Sequence, residues 1–344
     1  MYRLPYLQQL GAASLVVILL SLGTPAQKER SQIPINRDEE PIKLGTTLVQ
    51  VPVTVSEPGG RYVTDLLKTD FSLFEDGVKQ RIEFFGSVEM PFSVALLLDS
   101  SGSTSAQVEL IKSAAVAFIE SMRPQDRAMV VSFNDSVHIE CELTGDRETL
   151  KRAVALIAPG EFTQVYEALY TAVWEKLQDV EGRKAVIVFT DGIDTASSEI
   201  SEEDTLDAVI ESEDIIIYPI RYSTRADVEA KMEGRIKTSV SAKGNEAVLS
   251  ELDRSRRALD RTYREADEYL NQLAEMSGGI VERADTLQDL KGAFTRIAEE
   301  LRRQYLLGYY PSNREKDARN RRISVEVSKP GMKVRARPAY RALQ

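Results

Sequence analysis

The segment Val94-Ala95-Leu96-Leu97-Leu98-Asp99-Ser100-Ser101-Gly102-Ser103 joins a buried strand to an oxygen-rich loop. The apolar run stops at Asp99. Hydroxyl side chains and a glycine follow, so several hard oxygen atoms sit on one tight turn. Hard divalent cations such as Mg²⁺ take oxygen ligands in near-octahedral array and keep part of their water. The loop therefore reads as part of a divalent-cation site at the C-terminal end of a sheet strand, where open α/β sheets bind ligands.

Two later segments supply further oxygen donors. Gly160-Glu161-Phe162-Thr163-Gln164 precedes a helical pattern and offers the Thr163 hydroxyl. Phe189-Thr190-Asp191-Gly192 ends a second apolar run, Ala185 to Phe189, and offers the Asp191 carboxylate. In this order and on these elements, Asp-x-Ser-x-Ser, a loop Thr and a strand-terminal Thr-Asp-Gly resemble the von Willebrand factor type A (VWA) domain. The resemblance spans roughly residues 91–302, and all five positions match. It implies a doubly wound, mostly parallel α/β sheet of Rossmann-like topology. It also implies a metal-ion-dependent adhesion site (MIDAS) made by Asp99, Ser101, Ser103, Thr163 and Asp191. By that resemblance Ser101 and Ser103 touch the ion, Thr163 joins them in the ligand-bound arrangement, and Asp99 and Asp191 mostly hold bound waters or the serine hydroxyls. Neutral oxygens leave much of the ion's charge uncompensated, so an open position captures a partner's Asp or Glu. Mg²⁺ is the expected ion, and Ca²⁺ or Mn²⁺ suit the same donors.

Composition excludes several other chemistries. A net charge of −10 argues against nucleic acid as the main partner. From Pro311 to Gln344, ten Lys/Arg stand against three Asp/Glu, a local balance of +7. Those charges alternate with Ile323, Val325 and Val327, the pattern of a solvated sheet face; an anionic surface or polymer is the alternative partner there. The single cysteine, Cys141, forms no intramolecular disulfide and reads as a small buried hydrophobe. No cysteine cluster exists to hold zinc or iron–sulfur. The single histidine, His138, lies far in sequence from Ser101, and no Gly-x-Ser-x-Gly elbow is present, which argues against a Ser-His-Asp hydrolase.

Residues 1–26 read as a signal peptide: Arg3, the apolar stretch Ala12 to Leu22, and small residues near Thr24-Pro25-Ala26. The apolar run is short for a membrane span. Export to the periplasm or outside the cell follows as the expectation, with an uncleaved signal anchor as the alternative. Residues 27–44 read as a polar linker. Residues 45–90 form a β segment, with Val49, Val51, Val53 and Val55 in alternation and Asp76-Gly77 turning a hairpin from Phe71–Glu75 to Val78–Phe85. Residues 303–344 are a second β segment, with strands at Tyr305 to Tyr309, Arg322 to Ser328 and Met332 to Ala336. Neither half buries both its faces alone, so the two flanks are expected to make one small β-sandwich into which the α/β domain, residues 91–302, is inserted.

Within that domain strands and helices alternate. A helix from about Ser105 to Met122 presents Val108, Ile111, Ala115 and Phe118 on one face. Strands follow at Ala128 to Phe133 and Val137 to Leu143, and Asp146 is placed to cap the next helix. A helix over Val165 to Leu177 carries Trp174 as a packing residue. Strands at Ile215 to Ile220 and Gly279 to Glu282 complete the sheet. A charged insertion at about 223–267 runs into a helix from about Asn245 to Met276, roughly 48 Å long at 1.5 Å per residue. This helix either packs back on the domain or projects as an arm toward a partner or a second copy.

Three functional readings follow: metal-dependent capture of an acidic partner residue, a scaffold whose metal is structural and whose long helix or sandwich binds, and Mg²⁺-dependent phosphoester hydrolysis. The last lacks a phosphate loop, and no Lys or Arg lies in the three metal loops; Arg183 and Lys184 precede their strand, at the opposite end of the sheet. Asp194 is either a further acid at the rim of the site or a solvated loop residue. Glu161 either repels an acidic ligand or stands by.

Overall fold

A computed structural model describes residues 48–86, 90–102, 107–212, 214–240 and 245–342. The expected signal peptide, the linker and Ser103 lie outside these residues.

The first flank contains β1 (Val49–Ser56), β2 (Phe71–Glu75), β3 (Val78–Gln80) and β4 (Ile82–Gly86). The central domain follows with β5 (Phe92–Asp99), α1 (Val108–Ser121), β6 (Arg127–Phe133), β7 (Val137–Thr144), α2 (Arg147–Leu156) and α3 (Val165–Tyr170). It continues through β8 (Arg183–Thr190), α4 (Glu202–Glu211), β9 (Ile215–Arg221), α5 (Arg225–Val240), α6 (Asn245–Ser277), β10 (Glu282–Arg283) and α7 (Leu287–Arg303). The second flank adds β11 (Tyr305–Tyr309), β12 (Asn320–Val327), β13 (Lys333–Arg335) and β14 (Ala339–Arg341).

The central sheet runs β10-β9-β8-β5-β6-β7, parallel throughout except for the antiparallel edge strand β7. Every residue of β5 and of β8 is buried, because helices cover both faces. Phe92, Val94, Leu96 and Leu98 pack with α1, α2 and α7, whereas Ala95 and Leu97 pack with α3, α4 and α6. Alternation along one strand thus feeds two cores.

The flanks fold together. Four-stranded sheets β13-β1-β11-β4 and β14-β12-β2-β3 each combine strands from both ends of the chain. Val49, Val51, Val53 and Val55 meet Leu73, Leu307, Tyr309 and Ile323 in one core. The insertion closes on itself: β4 leads into the central domain, α7 leads out into β11, and Gly86 of β4 pairs with Leu306 of β11. A buried carboxylate adds a second tie. Glu300 of α7 accepts from Tyr218 of β9 at 2.8 Å and from Tyr62 at 3.1 Å, and it pairs with Arg335 of β13.

Several local expectations change. The 71–85 hairpin keeps its Asp76-Gly77 turn, where φ is 48° and 82°, but its second arm splits at Arg81. Only β3 stays with β2, while β4 crosses to the other sheet. Gln80 anchors the crossing by donating to Ser312 Oγ at 2.9 Å and accepting from the Ser312 N–H at 3.0 Å. The last central strand is Glu282–Arg283, not Gly279 to Glu282. A Cβ on Gly279 would lie 1.9 Å from the Ile217 carbonyl, so this residue is a close-approach point against β9. Helix α3 widens into a π-helical turn over Thr171–Lys176, where Trp174 packs half-buried beside Tyr170. Cys141 is half-exposed on the edge strand β7.

The basic carboxyl-terminal stretch is only partly a solvated face. Arg321 is buried against Glu75 at 3.2 Å, and buried Arg337 donates to the Val209 and Ile210 carbonyls at the end of α4, at 3.0 and 3.2 Å. A cation is favourable there because the last helical carbonyls lack intrahelical donors.

The insertion is a pair of helices. Arg256 of α6 meets Glu229 of α5 at 3.0 Å and also Glu233, while Arg225 of α5 meets Asp260 of α6. Ascending positions on α5 meet descending positions on α6, so the two run antiparallel. The C-terminal part of α6 packs on the domain through buried Tyr263, Ala266, Tyr269, Leu270 and Leu273, whereas Leu249 near its start is 62% exposed.

Candidate metal centre at the C-terminal edge of the sheet

Asp99 is the last residue of β5, and Thr190 is the last residue of the adjacent parallel strand β8. Parallel pairing brings both strand ends to one edge, with their following loops side by side. Thr190 donates its hydroxyl to Asp99 Oδ2 at 2.8 Å, and Ser101 donates its backbone N–H to Oδ1 at 2.9 Å. Asp191 Oδ1 accepts the N–H of Ile193 at 3.1 Å. Gly192 has φ +81° and packs against Leu270 of α6, where an added Cβ would stand 2.9 Å from Cδ1. Glycine meets both demands at that turn.

The third loop is clamped to the other two. Gly160 donates to the Ser100 carbonyl at 2.8 Å and Gly102 donates to the Glu161 carbonyl at 3.4 Å. A Cβ on Gly160 would fall 2.6 Å from Cβ of Asn134, whose amide holds Ser100 Oγ at 3.1 Å. The Thr163 carbonyl accepts from the N–H groups of Thr195 and Ala196, each at 3.0 Å, which ties it to the loop after β8. Asp99, Ser101 and Asp191 are each 1% exposed and Thr163 is 3% exposed.

Four of the five expected ligand positions are therefore on neighbouring, mutually bonded loops. The fifth, Ser103, falls outside the described residues.

Asp99 carries the electrostatic signature of the site. Burial first, and then the negative charge of Asp191, push its carboxyl up to about 7. Two buried carboxylates repel each other, and a divalent cation relieves that repulsion. The donors are all oxygens, two acidic and the rest hydroxyl, which suits Mg²⁺, Ca²⁺ or Mn²⁺. Among the described residues no three His, Cys, Asp or Glu side chains gather into a metal-holding cluster, since hydroxyls make up the rest of this set.

Asp194 is neither a rim ligand nor a solvated loop acid. Its carboxylate accepts the N–H groups of Val165 at 2.8 Å, Tyr166 at 3.3 Å and Ser197 at 2.9 Å. It caps the start of α3 and fastens the Thr163 loop to the Asp191 loop. Asp135 does similar work, accepting from Glu161 and Phe162 at 3.1 and 2.7 Å. His138 is exposed on β7, two strands from β5. Arg183 and Lys184 are the first residues of β8 rather than residues before it, and they stay at the end away from the site.

Sequence reasoning missed Thr224 and Tyr263. Thr224, fully buried, donates to Asp191 Oδ2 at 2.6 Å, and the Tyr263 hydroxyl lies 2.6 Å from Thr224 Oγ1. Thr224 has one hydroxyl proton and gives it to Asp191, so Tyr263 is the donor in the second bond. Neither residue belongs to a motif; only the strand order β8-β9 and the packing of α6 bring them to the carboxylate.

Residues 93–257 match the family profile of the von Willebrand factor type A domain, which stops inside α6. No curated protein sequence is significantly similar to the chain. Among solved structures, the von Willebrand factor domain of the type V pili tip protein Mfa5 from Porphyromonas gingivalis is 22% identical, over 32% of this chain and 40% of its own, with TM-score 0.30. A von Willebrand factor type A protein from Catenulispora acidiphila is 12% identical over 80% of this chain and 73% of its own, TM-score 0.46. Proximal thread matrix protein 1 of the mussel byssus, with zinc in its MIDAS motif, is 15% identical over 65% of this chain and 48% of its own, TM-score 0.44. The chain thus spans less than half of the Mfa5 and mussel structures. The profile match, on a doubly wound sheet whose strand ends carry the motif residues, shows that this chain carries a von Willebrand factor type A domain over residues 93–257.

Proposed function

We propose that the chain is an exported protein-binding module that holds a divalent cation, Mg²⁺ by expectation, and uses it to capture an acidic residue of a partner protein. The observation that carries this reading is the burial of Asp99, Ser101, Thr163 and Asp191 together on three interlocked loops. Asp99, Ser101, Thr163 and Asp191, with Ser103, would hold the ion. Bound there, the cation supplies a Lewis-acidic position for a partner's carboxylate. The protein's part is to keep the donors buried and oriented, which the Thr190, Thr224 and Asp194 hydrogen bonds accomplish.

Calorimetric titration with Mg²⁺, beside an Asp99→Ala variant, tests the site. Saturable binding lost in the variant supports it, and a Mg²⁺-against-chelator pull-down then identifies acidic partners. Absence of binding in both proteins refutes the reading.

A second reading, with a structural metal, draws on the bond chain from Asp191 through Thr224 to Tyr263, which links the site to α6. It wins if Asp99→Ala collapses thermal stability and partner binding merely follows the folded fraction.

A further inference from the structure

The insertion brings α5 next to the metal loops. A groove of about 440 Å³ opens between Gly102 (the residue after the ligand Ser101), Ser255 of α6, and one face of α5 formed by Val228, Lys231, Met232, Arg235 and Ile236. Spacing on the helix sorts these side chains. Val228, Met232 and Ile236 recur every four residues as a half-buried apolar stripe, and Lys231 and Arg235, also four apart, run beside it as an exposed basic stripe. Of the acids of the same helix, Glu229 and Glu233 turn to Arg256 of α6, whereas Asp227, one turn before Lys231 on the same stripe, accepts from Gln107 at 3.4 Å. Among the described residues Lys231 and Arg235 form no ion pair. The groove therefore has an apolar floor and a cationic rim on a chain whose net charge is −10.

We propose that this groove is a specificity subsite for the partner segment captured at the metal. Its occupant is an acidic stretch of protein in which the metal-binding Asp or Glu is accompanied by an apolar residue and a second carboxylate. The apolar residue lies on the Val228/Met232/Ile236 stripe and the second carboxylate meets Lys231 and Arg235. The inference rests on the metal-capture reading, because the groove begins beside Ser101. It adds what that reading leaves open, namely which acidic segments are accepted. Charge on the rim steers and selects more than it tightens.

Panning a random-peptide display library on the immobilised chain in Mg²⁺ tests it, with parallel selections on Ser101→Ala and on the double variant Lys231→Glu/Arg235→Glu. The wild-type selection is expected to enrich peptides with two acids flanking an apolar residue. The double variant should lower enrichment of the second acid about fivefold, as rim charges do, while binding remains releasable by chelator. Equal enrichment of the second acid on both proteins overturns the subsite and leaves metal capture standing. Enrichment indifferent to chelator and to Ser101→Ala overturns metal capture, and with it the coupling proposed here. No enrichment on the wild type overturns both. Unchanged melting temperatures establish that the variants fold, as their surface positions require; Lys231→Gln/Arg235→Gln gives the same readout without charge reversal.

Discussion

Thr224 donates its hydroxyl to the Asp191 carboxylate across 2.6 Å, although the two residues are 33 positions apart and lie on different strand-end loops. The bond fixes one oxygen of this candidate metal-site acid, and Tyr263 of α6 fixes Thr224 in turn. Thr224→Val keeps the volume and removes the donor. It is expected to weaken Mg²⁺ binding about tenfold, the lower end for loss of a partner that orients a ligand. Tyr263→Phe should weaken it less, because Thr224 still donates. Titration calorimetry of both variants checks the order.

On the proposed metal-capture reading, Asp99 makes cation affinity pH-dependent. Its carboxyl, pushed up to about 7 by burial and by Asp191, holds a proton that an exposed carboxyl has lost above about pH 4. Between those values the folded state binds more protons than the unfolded state, so metal-free stability falls as pH rises through this window. A cation binds the ionised form. Affinity should therefore climb up to about pH 7 and then level off, with proton release near pH 6 that fades by about pH 8. Titrations in two buffers of different ionisation enthalpy measure that release; its absence near pH 6 would contradict the assignment.

In the sandwich, Glu75 of β2 is the shared acceptor of residues from the other end of the chain. Tyr309 and Tyr340 donate to it at 2.7 and 2.9 Å, and Arg321 pairs with it at 3.2 Å, all buried. Glu75→Ala leaves a buried guanidinium without its carboxylate and should cost about 3–5 kcal/mol in denaturant unfolding. A chain ending at Pro311 removes Arg321, Tyr340, β12, β13 and β14 together. It should unfold the 49–86 segment as well; independent melting of the two flanks would show that they are not one unit.

Asp194 tests whether loop order matters to the site. Asp194→Ala removes the cap of α3 and the tie between the Thr163 and Asp191 loops. A stability loss of about 1–2 kcal/mol is expected from the cap alone. If the tie also holds Thr163 in place, Mg²⁺ affinity falls while Asp99 and Asp191 remain. Asp194→Asn, which keeps one carbonyl acceptor, should recover part of both.

The candidate donors Asp99, Ser101, Thr163 and Asp191 were legible because they come in short motifs at strand ends and loops. Asp99 and Asp191 each close an apolar run, and parallel strands in a doubly wound sheet bring such ends together by topology. The helix cap at Asp146, with its side chain accepting from the Glu148 N–H, was legible for the same local reason. By contrast, α4 and α7 carry apolar faces that stood unread between charged residues, and Cys141 looked buried because an edge strand has the same alternation as a covered one.

Local sequence thus determined the buried strands, the Asp76-Gly77 turn and the hydroxyl and carboxylate donors at the strand ends, since period, glycine and oxygen chemistry act over a few residues. Tertiary structure decided the rest. It split the second hairpin arm between two sheets, buried Arg321 and Arg337 out of a stretch that reads as a solvated face, and turned Asp194 inward as a cap. It also carried Tyr263 to Thr224, and α5 to the side of Gly102. Each of these depends on which distant element supplies the hydrogen-bond partner or the opposing charge. Burial forces polar groups to find such partners, and no periodicity along the chain records where they are.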